Sequence, residues 1–119
     1  MKETDLKKRT KLFALRVIKL VESLPKIKTG EVIGKQLLRS GTSIGANYRS
    51  ACRGKSTADF IAKLAIAQEE ADESCYWLEL IVESGLVVPE RIEDLQKEAE
   101  ELTAIFTASL ITAKKNKTS

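Results

Sequence analysis

The last third of the chain sets the tightest constraint on its fold. Ile92, Leu95, Ala99, Leu102, Phe106, Ser109 and Ala113 recur at alternating steps of three and four residues. That spacing keeps one side of an α-helix apolar or small along its whole length, which is the geometry of helices packed in a bundle. Pro89 stands just before the run and suits the first helical position, where its missing N–H leaves no hydrogen bond unmade. A helix over about 89–114 follows, with the polar tail from Lys114 to Ser119 expected to fray.

The same period can be read upstream. Leu6, Phe13, Ala14, Val17, Leu20, Val21 and Leu24 share one face of a helix over about 5–24, which stops before Pro25 because the residue preceding a proline is pushed out of the helical region. A second helix over about 30–53 has Thr29 as its expected N-cap and a core stripe of Ile33, Leu37, Ser40, Ile44, Asn47 and Ala51. Gly54, Ser56 and Thr57 mark the next turn and cap, with Asp59 adding the negative charge that a first turn favours. The third helix, over about 57–84, carries Phe60, Leu64, Ala67, Ala71, Cys75, Leu78 and Val82, and Gly85 is placed to end it. With 119 residues, two prolines and six glycines, the chain lacks the turn punctuation of a many-stranded sheet. It is long enough for one domain, 1–119, with a largely aliphatic core. The fold class expected is all-α, an antiparallel up-down-up-down four-helix bundle.

Gly34, Gly41 and Gly45 lie inside the second helix, each costing about 1 kcal/mol relative to alanine. They share a narrow stripe where another backbone can approach closely. Either a neighbouring helix of the same bundle fills it, or a subunit or ligand does. Asn47 is equally two-sided: its amide fixes helix register, or it contacts a partner. Tyr76 and Trp77 plug the bundle end or anchor a partner.

Charge divides unevenly along the chain. Residues 1–55 carry 14 Lys/Arg against 4 Asp/Glu, and residues 56–119 carry 6 against 13. Lys8, Arg9, Arg16 and Lys19 on the first helix, with Arg49, Arg53 and Lys55 near the second turn, form a basic face able to neutralise phosphates of RNA or DNA. The same face can instead pair with the acidic side of another copy. The third helix has a second stripe, Ala62, Ile66, Glu69, Glu73, Tyr76 and Leu80, and Leu15 and Ile18 lie off the core of the first. Apolar surface beyond what one bundle needs marks these residues as candidates for a homo-oligomer interface or a protein partner.

Catalytic chemistry finds few materials here. Without histidine the usual hydrolase triads and most zinc arrangements are excluded, and a di-iron bundle site lacks its Glu-x-x-His pairs. Glu69, Glu70, Asp72 and Glu73 therefore read as a solvated or intersubunit ion-pairing face. No enzyme activity, metal or cofactor is expected. Cys52 and Cys75 are expected to be reduced, packed thiols. With no signal-like apolar start and no run near the roughly 20 apolar residues of a membrane span, the expected location is the cytoplasm.

The run Leu37-Leu38-Arg39-Ser40-Gly41-Thr42-Ser43-Ile44-Gly45-Ala46-Asn47, then Asp59-Phe60, Glu69-Glu70 and Tyr76-Trp77-Leu78-Glu79-Leu80, resembles the bacterial four-helix-bundle proteins encoded by intervening sequences of 23S ribosomal RNA genes, once labelled ribosomal proteins. The resemblance spans about Leu12 to Lys114, and Ser43, Ile44, Gly45, Asn47 and Trp77 are its most specific positions. Family members often have Glu and Gly soon after the Asn, where this chain has Ser50 and Arg53-Gly54. The resemblance implies a homo-oligomer, in several relatives a pentamer. It extends distantly to the accessory protein of diversity-generating retroelements, which engages a reverse transcriptase and nucleic acid. It carries over no catalytic residue.

Overall fold

Proline and glycine divide the chain as their backbone preferences dictate. In the computed structural model, which describes residues 2–118, the elements are α1 (Glu3–Ser23), α2 (Lys28–Cys52), α3 (Thr57–Glu83) and α4 (Pro89–Thr118), and no strand occurs among the described residues. Leu24 is extended ahead of Pro25 and ends α1. Ser56 caps α3, its Oγ accepting from the Asp59 N–H at 3.0 Å. Gly85 adopts φ +80°, a left-handed conformation open to glycine, and lets the Leu86 N–H reach back to the Ile81 carbonyl at 3.1 Å. Pro89 is the first residue of α4.

Two expected ends differ. Thr29 does not cap α2: the helix starts at Lys28 with extended Ile27 before it, and Ile27 supplies the first carbonyl, to the Glu31 N–H at 2.9 Å. α4 likewise continues through Thr118, past its expected end near Lys114; Ser119 lies outside the described residues.

Neighbouring helices run antiparallel, because contacts rise along one as they fall along the next. Gly34, Gly41 and Gly45 of α2 face Leu24, Val17 and Thr10 of α1 in turn. Ser40 of α2 meets Ser74 of α3, and Gln68 and Cys75 of α3 meet Thr107 and Thr103 of α4. The loosest contact, between α4 and α1, closes the up-down-up-down bundle, which measures 50 × 21 × 21 Å. The glycine stripe thus serves the α1–α2 contact: side chains of α1 occupy the space that three Cβ atoms would need.

Leu6, Phe13, Val17, Leu37, Ile44, Leu64, Leu78, Leu102 and Phe106 are buried at the centre of the core, largely aliphatic as expected. Its register corrects the sequence reading in α2 and α3. Tyr48, packed on Phe106 at 5.7 Å between ring centroids, takes the buried place expected of Asn47, which is half-buried with its amide donating to the Ser43 carbonyl at 2.8 Å. In α3, Ser74 and Ile81 are buried, while Cys75 and Val82 sit at the margin. Ser74 is tolerated inside because its hydroxyl bonds Ser40 Oγ at 2.8 Å and donates to the Glu70 carbonyl at 2.9 Å. Cys52 and Cys75 are free, half-buried thiols whose pKa burial pushes up.

Candidate nucleic-acid interface

The antiparallel order delivers three distant segments to one end of the bundle: the start of α1, the end of α2 and the end of α4. Lys8, Arg49, Arg53 and Lys55 are exposed there, and Lys114 and Lys117, from the otherwise acidic second half of the chain, join them. Glu3, Asp5 and Asp59 are the acids of the same end, and Glu3 is paired with Lys7 at 3.5 Å.

The α1 stripe is divided along its length. Arg9 is not an outward cation: Glu98 of α4 holds its guanidinium with both carboxylate oxygens, at 2.6 and 3.0 Å, and Glu101 approaches to 3.5 Å. The Glu98 hydrogen bond holds the Arg9 pKa above its usual range. Arg16 and Lys19 lie farther along and line a pocket of about 190 Å³ with Arg91 of α4. Arg91 was invisible as a member of this group in the sequence, where it stands in an acidic stretch.

The residues of the sequence motif converge at the seam between α2 and α3. Arg39 bridges the helices, bonding Glu70 at 2.8 Å and Glu73 at 2.6 Å, and Trp77 Nε1 donates to the same Glu73 oxygen at 3.1 Å. The bond from Arg39 holds the Glu73 carboxyl below the usual carboxylate range, whereas burial raises that of Glu70. Ser43 donates to the Arg39 carbonyl at 2.6 Å, Ile44 is in the core, Gly45 packs on Thr10 and Asn47 bonds back to Ser43. Of these bonds, those of Arg39 with Glu70 and Glu73 brace the α2–α3 contact, those of Ser43 and Asn47 lie within α2, and Gly45 lets α1 approach. Arg39 is the seam's organising residue, and its partners, 31 and 34 residues away, become visible only once the helices are in register.

Of the candidate interface residues, Leu15, Ile66 and Tyr76 are exposed, by 51%, 38% and 53%, and Leu12 is exposed by 57%. Ile18 and Leu80 are half-buried, Glu69 is exposed, and Glu73 is committed to Arg39 and Trp77. Tyr76 packs edge-on against Trp77 at 5.2 Å. No helix among the described residues is long and apolar enough to cross a membrane.

These features define a small all-α bundle that turns charged and apolar faces outward around a buried, largely aliphatic core. The chain belongs to the 23S rRNA-intervening sequence protein family, whose model matches residues 2–108. Among solved structures it is similar to a protein of unknown function from the S23 ribosomal protein family of Bacteroides thetaiotaomicron, with 39% identity and a TM-score of 0.85 over 92% of this chain and 98% of that one. No curated protein matches it. Neither description names an enzymatic activity.

Proposed function

We propose that this protein is a non-enzymatic, cytoplasmic homo-oligomer that binds RNA or DNA through the basic end of its bundle. The observation that supports this reading is the gathering of Lys8, Arg49, Arg53, Lys55, Lys114 and Lys117 at one end from three segments far apart in sequence. Such a cluster neutralises several phosphates at once and releases their counterions, so binding is steeply salt-dependent. Arg39 with Glu70 and Glu73, and Arg9 with Glu98, are engaged in holding helices together. The test is a titration of labelled single-stranded RNA and duplex DNA at a series of salt concentrations, with wild type and an Arg49→Gln/Arg53→Gln/Lys55→Gln variant. The expected result is binding at low salt whose logarithmic salt slope shrinks by roughly 2–3 units for duplex DNA in the variant. Absence of binding at low salt, or an unchanged slope, overturns the reading.

A second reading has its own support. The outward faces of α1 and α3 lie diagonally across the bundle and are complementary: Leu12 and Leu15 among Lys8, Lys11 and Lys19 on one, Ile66 and Tyr76 beside Glu69 on the other. Pairing between unlike faces of successive copies makes a ring where the rotation between copies closes, and a scaffold for protein partners follows without nucleic acid. Light scattering tests the assembly step; a monomer at micromolar concentration rules it out.

A further inference from the structure

Charge is handled differently along the α1–α4 seam. Near one end, Arg9 is neutralised by Glu98 and Glu101. Seven and ten residues farther along α1, Arg16 and Lys19 meet Arg91 of α4 around the pocket of about 190 Å³, whose remaining lining is Leu20, Ile92 and Leu95. No carboxylate lines it. Glu90 and Asp94 are close to Arg91 in sequence, yet none of the three cations forms an ion pair within the described residues. Cations sharing an apolar floor repel one another, weakly where they are exposed, as Lys19 and Arg91 are. An anion seated among them reverses the sign of that interaction.

We propose that this pocket is an anion site that seats one phosphate group. Two guanidinium forks and one ammonium supply more donors than the two oxygens of a carboxylate can use, whereas a phosphate offers more acceptor oxygens and greater charge. The apolar floor of Leu20, Ile92 and Leu95 accommodates no counter-charge from below, so recognition is through the exposed side of the group. Inorganic phosphate, a mononucleotide and a phosphodiester of a bound strand share this chemistry. The site is distinct from the basic end: Arg16 is about 12 Å beyond Lys8 at the α-helical rise.

The test uses the full chain, followed through the backbone amides of Leu20, Arg91 and Ile92 by NMR in chloride buffer, titrated separately with inorganic phosphate, AMP and a short single-stranded RNA. Saturable shifts centred on the pocket are expected, with affinity weakened about tenfold by Arg91→Gln and by Arg16→Gln. The exposed Lys97→Gln variant serves as the control and is expected to bind as wild type. Arg16→Lys, which keeps the charge but loses the fork, is expected to fall between. Saturation by phosphate and AMP, but not by RNA, assigns the site to free phosphate groups; RNA that shifts the same amides and competes with phosphate assigns it to a strand. Because Arg91 is outside the basic end, an RNA-binding protein with an inert pocket overturns this inference and leaves the proposed function standing. Absence of saturation with all three probes, or unchanged affinity in Arg91→Gln, overturns it. So does a change in self-association mass in Arg91→Gln without a change in the phosphate titration, which assigns the pocket to a carboxylate of a second copy.

Discussion

Gly41→Ala tests how closely α1 and α2 approach. A Cβ at Gly41 lies 2.9 Å from Val17 Cγ2, 3.0 Å from Cγ1 and 3.3 Å from Cβ. Val17 is fully buried and β-branched, so its side chain is held near one rotamer. Rotation would turn one methyl away, but the helical backbone and the full burial of Val17 disfavour its other rotamers. The helices must therefore separate by a few tenths of an ångström, and Gly34 and Gly45 share the same contact. Alanine gains about 1 kcal/mol over glycine in helix propensity, while overpacking costs about 1–3 kcal/mol, giving an expected net loss of about 1 kcal/mol. In a Val17→Ala background the crowding methyls are gone and the same substitution gains about 1 kcal/mol, a coupling of about 2 kcal/mol. Urea unfolding at fixed protein concentration reads this directly. With a slope of about 2 kcal/mol/M, Gly41→Ala lowers the midpoint by about 0.5 M in wild type and raises it by a similar amount beside Val17→Ala. Equal shifts in the two backgrounds refute the close-approach account.

Ser74→Ala removes one partner of the buried Ser40–Ser74 bond and is expected to cost about 1–2 kcal/mol, whereas the Ser40→Ala/Ser74→Ala double variant costs less than the sum of the single changes in a thermal-unfolding cycle, because no buried hydroxyl is left behind. Glu73→Gln is expected to destabilise at neutral pH. The folded-state pKa of Glu73 is lowered, so its contribution is present above the unfolded carboxylate value of about 4 and is lost as pH falls through the folded value; a stability difference between Glu73→Gln and wild type that persists unchanged in acid contradicts this.

Helix number and type are written in the sequence because local spacing carries them. Ile92 to Phe106 in α4, and Phe13, Val17 and Leu20 in α1, repeat with a period only a helix places on one face, and all are buried. The turns are local too: Pro25, Ser56, Gly85 and Pro89 act through their own backbones or the next turn. Within a helix the rotational setting is less legible. Asn47 and Tyr48, Ser74 and Cys75, and Ile81 and Val82 are adjacent pairs, about 100° apart around the axis, and either member of each extends a three-four stripe. Packing chose Tyr48, Ser74 and Ile81, since Tyr48 had Phe106 to meet and Ser74 had Ser40.

The charges divide along the same line. Their uneven distribution over the chain is a property of composition, and so is the lack of histidine. Which cations are spent and which remain is a property of register. Arg9 is neutralised by a carboxylate 89 residues away, Arg39 by two on the neighbouring helix, and Arg91 leaves its acidic surroundings to stand beside Arg16 and Lys19. Lys114 and Lys117 share one end of the bundle with Arg49, Arg53 and Lys55 only because α4 returns antiparallel to α3. The sequence by itself determined four amphipathic helices, their turns and the family they belong to, because those depend on spacings within a few turns. Tertiary structure alone decided which side chains face one another across the seams, because Coulomb and hydrogen-bond interactions depend on distances in space that separation along the chain does not encode.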